Sequence, residues 1–286
     1  MLFLCALGLS CLQEPPPPAE RVLQVAPWNV ENFFDPYDDP WRADEVTRPR
    51  YASEGRTVRL AEVLRDLDAD VVCLQEVEHR FLLQEFNRQH LADLRYEVVL
   101  VEGNDERGID VALLTRVPVR SVTSHRHLRF QDREGRELRF QRDLLQVRLG
   151  PPLNGDVFVV HLKSQHGGDE ADAVRQAEAD AVASLLRVEL ERDPGYRAVL
   201  AGDFNDVAGS GPLRGILASG MTDPCAGSEL PTYNQEPYRQ RIDYLLLSPA
   251  LSAASSNCRI VENAQVRSAS DHNPVLLSLR LPQGGG

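Results

Sequence analysis

The stretch TVRLAEVLRDLDADVVCLQE, Thr57–Glu76, sets the reading of the whole chain. Its first half places Val58, Leu60, Val63, Leu64 and Leu67 at helical spacing, which predicts an amphipathic helix. Its second half, ADVVCLQE, is a continuous apolar run that ends in an acid. Such a run reads as a buried strand, and it delivers Glu76 to one edge of a sheet. Helix followed directly by buried strand is a unit of α/β architecture.

Outward from that unit, VLQVAPWNV reads as the first strand, followed by the Pro- and Asp-rich loop DPYDDPWRADEVTRPRYASEG. A loop of that length points to a border of the site. A helix is predicted over Arg80–Leu91, and strands at YEVVLV, IDVALLT, VPVRSV and DVFVVHL. Glu170–Glu191 is the clearest helix, with Val174, Ala177, Ala181, Leu185 and Val188 on one face. Asp169, Glu170 and Asp172 suit its positive N-terminus. RAVLAGDFN, IDYLLLS, CRIVENAQV and PVLLSLRL complete a strand-rich second half. No composition break divides the chain. The expectation is one α/β domain over residues 21–282, two packed sheets with helices outside, and a flexible tail at 283–286.

A chain of 286 residues with 42% hydrophobic and 26% charged content has the make-up of a globular protein with a substantial core. A net charge of −12 excludes a generally basic, nucleic-acid-coating surface. It does not exclude an enzyme acting on nucleic acid through a local patch. Arg116–Arg148 holds nine arginines against four acids and reads as a hairpin around DREGRE. Two readings stand for it: a solvated hairpin of mixed charge, or a surface for a phosphate backbone. MLFLCALGLSC followed by QEPPPPAE reads, over residues 1–20, as an export signal with a Pro-rich tether. Cys11 is its candidate lipid anchor, although the n-region is not basic and Leu9-Ser10 is an imperfect lipobox. The run is too short to span a bilayer. An exported protein is expected, whether extracellular, periplasmic or lipid-anchored, and a monomer with no protein partner. Cys73 reads as a buried thiol, and Cys225 and Cys258 could pair in an oxidising compartment. With no CxxC, a zinc-thiolate site is not expected.

Six short polar motifs each end an apolar run: PWNVEN (Asn29), CLQEVE (Glu76), HLKS (His161), GDFND (Asp203, Asn205), RIDYLLLS (Asp243) and SDHNP (Asp271, His272). Singly each has a bland reading, as a surface acid, a GD turn or a satisfied structural histidine. Together, hard oxygen donors with histidines are the ingredients of metal-assisted hydrolysis of a phosphate ester. If the chain stays extended, Asp203 and Asn205 point to one side. Lys163, one lysine among thirty arginines, lies two residues after His161. A strand would put that compact ammonium on the same side as the imidazole.

In their order along the chain these motifs resemble the endonuclease/exonuclease/phosphatase superfamily. GIDVALLTR, HLKSQHGGDE and RQAEAD are similar to bacterial extracellular nucleases distantly related to deoxyribonuclease I. Abasic-site endonucleases and bacterial sphingomyelinases are other relatives. The resemblance implies a four-layer α/β sandwich of two packed, mainly antiparallel sheets flanked by helices. It implies Mg²⁺, with Mn²⁺ or Ca²⁺ as substitutes, held by Glu76, Asn29 and Asp271. It assigns Asp203 to the attacking water, Asn205 to the phosphoryl oxygens, and Asp243 to tuning His272. It pairs Asp110 with His161 as a second dyad, the alternative being that Asp110 anchors a loop. It gives Arg142 to substrate phosphate; Lys163, from its place after His161, reads either as a second phosphate contact or as an incidental surface lysine. The expected activity is an exported endonuclease cutting DNA or RNA. The alternative substrate is a sphingomyelin-type phospholipid or an inositol phosphate. A non-catalytic binding module is opposed by the intact motifs.

Overall fold

The computed structural model describes residues 20–37 and 53–282. The leader with Cys11, the 38–52 part of the long loop and the 283–286 tail lie outside the described residues. The helix predicted at Thr57 is α1 (Glu54–Leu67), capped by Ser53, whose Oγ accepts from Arg56 N at 3.4 Å. It buries Leu60, Ala61, Val63, Leu64 and Leu67. Val58, on the predicted stripe, stays 40% exposed. The strand that follows is β2 (Val71–Val77).

Before them runs β1 (Glu20–Phe33). After them come α2 (Arg80–His90), a 3₁₀ turn (Ala92–Leu94), β3 (Glu97–Leu100), β4 (Asp110–Thr115) and β5 (Val119–Ser124). The arginine-rich hairpin is β6 (Phe130–Gln131) with β7 (Glu137–Leu138), and then β8 (Leu145–Leu149) and β9 (Gly155–His161) lead to α3 (Gly168–Arg192). The last part holds β10 (Ala198–Asp203), α4 (Gly211–Leu217), β11 (Asp243–Leu247), α5 (Pro249–Ser252), β12 (Ser255–Ile260), α6 (Ala264–Ala269) and β13 (Val275–Pro282).

Two large sheets result, ordered β12-β13-β1-β2-β4-β3 and β11-β10-β9-β8-β5, with β6-β7 as a separate two-stranded ribbon. Each large sheet is antiparallel except for one parallel pair, β1 with β2 and β9 with β10. Side chains alternate between the faces of a strand, and the alternation sorts the apolar residues into three layers. Leu23, Val25, Val71, Cys73, Val157, Val159, Val199, Ala201, Leu245 and Leu247 lie between the sheets. Trp28, Val72 and Leu74 pack on α1, α2 and α6. Phe158, Val160, Leu200 and Tyr244 pack on α3 and α4. Helix, sheet, sheet, helix is the four-layer sandwich expected. Each large apolar side chain buried in these layers contributes roughly 1.5–3 kcal/mol.

Two local readings change and one open reading narrows. The buried face of α3 runs through Ala171, Arg175, Glu178, Ala179, Val182 and Leu186, while Val188 is 61% exposed. That face includes two charged residues that an apolar stripe does not reveal. CRIVENAQV splits: Cys258–Ile260 finish β12, and Asn263 then caps α6, its Oδ1 accepting from Val266 N at 2.8 Å. In the hairpin region, Arg129 pairs with Glu137 at 2.7 Å, Arg136 with Asp132 at 2.6 Å and Arg148 with Asp156 at 2.9 Å. Compensated charge of this kind favours the solvated hairpin over a phosphate-binding surface. No helix among the described residues is long and apolar enough to cross a membrane.

Cys225 and Cys258 are bonded, their Cα atoms 5.3 Å apart, tying the segment before β11 to edge strand β12. The sequence separation is 33 residues, for which loop-closure entropy gives about 3–4 kcal/mol of stabilisation. Dithiothreitol should therefore lower the denaturation midpoint of the wild type and leave a Cys225→Ala/Cys258→Ala variant unmoved. A wild-type midpoint insensitive to reductant would contradict this.

Candidate active site

The rows of side chains that face the central layer turn polar at one end of the sandwich. Leu23 and Val25 lead to Asn29, Val157 and Val159 to His161, Val199 and Ala201 to Asp203, and Leu247 and Leu245 back to Asp243. Asp203 sits in register with His161 on one side and with Asp243 on the other. Period-two geometry thus places all three on one face. The second sheet brings Asn29 and Glu76 against them.

Glu76 reaches this face through a bulge. From Gln75 to Val77, β2 advances two residues while β4 advances one, Val111 to Asp110. Glu76 takes φ 65°, and Val77 rejoins Val72 and Leu74 on the helix side. Without the extra residue Glu76 would point under α1. A second irregularity lies beside it, where β1 advances four residues from Asn29 to Phe33 against two on β2. Glu31 and Asn32 there have φ 53° and 47°. Arg56 of α1 holds that bend, donating to the carbonyls of Val30, Glu31 and Asn32 and, at 2.9 Å, of Ala269.

Asp203 is the hub. Its Oδ2 accepts from Asn29 Nδ2 at 3.1 Å, with His161 Nε2 at 3.6 Å and His272 Nε2 at 4.0 Å. Asn29 Nδ2 also donates to Glu76 Oε1 at 3.3 Å, and Asn32 N donates to Glu76 Oε2 at 2.8 Å. His272 Nδ1 meets Asp243 Oδ2 at 2.8 Å, so the expected pair is formed. Asp271 lies beside it, its Oδ1 3.9 Å from His272 Nε2. Preceding Asp203, Gly202 has φ 145°, and a Cβ there would fall 1.9 Å from Val160 O. The glycine before Asp203 is therefore a packing requirement at the end of a strand, where the sequence offered a GD turn.

The other half of the site is basic. Arg142 is buried, with Nε 2.9 Å from Asp105 Oδ2, and its Nη1 makes no hydrogen bond among the described residues. Arg107 Nε lies 3.6 Å from the other oxygen of the same aspartate. Lys163 is half-buried beyond the end of β9, and its pKa is lowered by burial, then by Arg142 and Arg107. Three cations thus share the space next to His161.

Two expectations need correction. Asp203 and Asn205 do not continue one extended strand. β10 ends at Asp203, whose Oδ1 accepts from Asn205 N at 2.8 Å, and Asn205 turns to φ 50°. Short polar side chains tolerate that conformation. Asn205 Nδ2 still reaches the area, donating one hydrogen to Leu162 O at 3.0 Å and keeping a second. The Asp110–His161 pair is not closed by a hydrogen bond at His161 Nδ1, which has no hydrogen-bond partner among the described residues. Asp110 Oδ1 instead accepts from Gly103 N at 2.6 Å. It anchors the loop that carries Asp105 and Arg107.

Environment drives the two histidines apart. Burial holds His161 well below the usual range, and Arg142, Arg107, His272 and Lys163 lower it further. Burial would lower His272 too, but Asp243, by charge and hydrogen bond, with Asp203 and Asp271, raises it well above that range. One ring is kept neutral and the other cationic. Burial, then Asp243, pushes Asp203 up. Burial, then Glu31 and Glu76, pushes Asp271 up to about 7 against the opposing pull of His272.

Several site residues were not assigned from sequence. Glu31 Oε2 accepts from Asp271 N at 3.1 Å. Ser270 donates Oγ–H to Asn29 O at 2.7 Å and accepts from His272 N at 3.0 Å. Thr232 Oγ1 accepts from Ile242 N and Asp243 N, both at 2.9 Å. Tyr233 lays its ring 5.0 Å from the His272 imidazole. Glu31 and Ser270 lie within PWNVEN and SDHNP, so the motif boundaries were the available signal. A separate trio, Asp35, Glu78 and His79, also gathers ligand-type atoms. His79 Nδ1 accepts from Leu82 N at 3.0 Å, so the ring proton is on Nε2, which faces Asp35 Oδ2 at 3.2 Å. That tautomer is a helix cap and not a metal ligand.

The model of the Endonuclease/Exonuclease/phosphatase family matches residues 28–272. None of the curated proteins compared matches the chain. Among solved structures, an endonuclease/exonuclease/phosphatase from Beutenbergia cavernae is similar at TM-score 0.62 and 22% identity, over 91% of this chain and 72% of that one. A 3′ phosphatase from Neisseria, bound to product DNA hairpin, is similar at TM-score 0.58 and 18% identity, over 90% of this chain and 99% of that one. A mannosyl-6-phosphatase from Bacteroides thetaiotaomicron is similar at TM-score 0.62 and 18% identity, over 89% of this chain and 98% of that one. At these identities the likeness is one of fold.

Ser270→Ala removes two buried hydrogen bonds that join Asn29 to His272. The expected cost is about 1–3 kcal/mol of stability, read from urea denaturation. A loss within error of zero would show that the link is dispensable.

Proposed function

The chain belongs to the Endonuclease/Exonuclease/phosphatase family, and on that premise we propose that it is a divalent-metal-dependent phosphodiesterase acting on DNA or RNA. The observation that carries the reading is the division of the site at Asp203. Carboxylates gather on one side of it, three cations on the other, and one histidine of each charge state stands between them.

The carboxylate side fits a hard cation. Burial, with Glu31 and Glu76 adding to it, raises Asp271 to about 7, and a divalent ion beside these carboxylates would favour their charged form. Oxygen donors suit Mg²⁺, with Mn²⁺ or Ca²⁺ as substitutes. Glu76, Asn29 and Asp271 are the residues to hold it. Asp203, Asp243 and His272 also bring ligand-type atoms together, but His272 is cationic and already bonded to Asp243, so this trio is read as acid–base machinery. Bound at the carboxylates, the ion would supply Lewis-acid polarisation of a phosphoryl oxygen.

The chain's own residues do the rest. Arg142 and Lys163 bind the phosphate oxygens. Asp203, buried and poised by its raised pKa, orients the attacking water and takes its proton. The water oxygen bonds to phosphorus as the opposite ester bond breaks. The His272 imidazolium, held in one orientation by Asp243, and the remaining Asn205 hydrogen stabilise charge on the phosphoryl oxygens. Neutral His161 lies on the cationic side, where the leaving oxygen departs.

A second reading rests on Arg107, Arg142 and Lys163 grouped around Asp105, with Glu178 behind them as a second acid. That excess of cations suits a terminal phosphate dianion, which is the substrate form of a phosphomonoesterase. The Cys225–Cys258 bond supports an oxidising compartment, in keeping with the export read from the leader.

EDTA should abolish turnover and added Mg²⁺ restore it. The substrate panel is plasmid DNA, RNA, sphingomyelin, an inositol phosphate, and the p-nitrophenyl mono- and diesters. Cleavage of monoesters with nucleic acid untouched would overturn the diesterase reading. Undiminished activity in chelator would remove the metal from it. His272→Ala and Asp243→Asn should each lower kcat about 10²–10⁴-fold. A His272→Ala enzyme with near-normal kcat would sink the dyad.

A further inference from the structure

RQAEAD, within α3, contributes two charged side chains, Arg175 and Glu178, that are almost completely buried at 5% and 1% exposure. Three residues apart on a helix, they face the same way. Neither touches the hub residue Asp203, yet their hydrogen bonds run to three segments of the basic half of the site and its border. Glu178 Oε2 accepts from the backbone N–H of Lys163 at 2.7 Å. Its Oε1 accepts from the backbone N–H of Gln141, the residue before Arg142, at 3.0 Å. Arg175 Nη1 donates to the backbone carbonyl of Lys163 at 3.3 Å. Its Nε donates to Asp206 Oδ2 at 2.9 Å, fixing the end of the GDFND turn.

Both backbone polar groups of Lys163 are therefore held by one helical pair, and the same carboxylate holds the peptide next to Arg142. A salt bridge placed for stability alone would join the two side chains to each other. Here Glu178 is directed outward to two main-chain N–H groups on loops that carry phosphate-binding candidates, and Arg175, paired with Asp172 of its own helix at 2.6 Å, reaches out to Lys163 O and to Asp206. Buried carboxylates that satisfy two N–H groups are rigid anchors, and oriented cations need such support to be fixed before substrate arrives.

We propose that Arg175 and Glu178 are positioning residues that preassemble the anion-binding half of the site, Glu178 setting both Lys163 and Arg142, and Arg175 setting Lys163. The inference rests on the phosphate-binding role given above to Lys163 and Arg142. It predicts a pattern of coupling that a general structural role does not.

The test is a set of double-mutant cycles on the full chain with Mg²⁺, read as kcat/KM on bis-p-nitrophenyl phosphate and as denaturation midpoint in urea. Glu178→Gln keeps shape but replaces one acceptor by a donor. It should lower kcat/KM about 10–100-fold. The same change should cost less than about threefold when Lys163→Ala and Arg142→Ala are already present, because interacting sites are non-additive. Its shift in midpoint should be the same in both backgrounds. Arg175→Lys retains charge, loses the fork to Lys163 O, and should couple to Lys163→Ala but not to Arg142→Ala. If Glu178→Gln does not fold, the Arg175→Lys cycles carry the test alone. Equal fold-losses in every background would overturn the proposal while leaving the phosphate contacts intact. If Lys163→Ala and Arg142→Ala are themselves harmless, the phosphate-binding reading falls and the proposal with it.

Discussion

The packing of two sheets through one shared apolar layer is the constraint on which the rest of this structure depends. Because side chains alternate at period two, every strand that enters the layer with a Val or Leu returns to the same face two residues later. At one end of the sandwich those rows close with Asn29, His161, Asp203 and Asp243 in place of aliphatic residues. The site is thus the polar margin of the central core. Its geometry is inherited from strand register, as the pairing of Asp203 with both His161 and Asp243 shows.

Such a margin is electrostatically expensive, and its burial shapes the chemistry. Isolated charges at this depth would cost several kcal/mol each. The chain answers with partners: Asp243 for His272, Asn29 for Asp203 and Glu76, and Asp105 between Arg107 and Arg142. Where partners are cations, anions are retained. Where a carboxylate is buried beside others, as Asp271 is beside Glu31 and Glu76, the neutral form is favoured. Asymmetric compensation separates the two histidines into one neutral and one charged ring.

Rigidity comes from outside the site. α1 supplies Arg56 to brace the irregular end of β1, and α3 supplies Arg175 and Glu178 to brace the loops after β9 and before β8. Each sheet's outer helices therefore also serve as the second support of its polar end. The left-handed backbone at Glu31, Asn32, Glu76 and Asn205 is held by this surrounding structure, as strained functional backbone requires.

Most of the layer structure was legible from Thr57–Glu76 and similar units, because periodicity is a local property that any strand or helix writes into its residues. The six motif ends were legible for the same reason: an apolar run that stops in a carboxylate or imidazole shows where burial meets chemistry. What stayed hidden depended on contacts far apart in the chain. Glu76 faces the site through a bulge set by β4. Asn205 turns because Asp203 captures its amide. Arg175 and Glu178 lie off the apolar stripe read for their helix, because charged residues are seldom buried without partners and most of theirs lie on other elements. Sequence alone determined where the buried strands and helices run and which of them end in polar residues. Tertiary structure decided which polar ends meet and which positive backbone angles are tolerated, because those follow from register and packing between segments that no local pattern records.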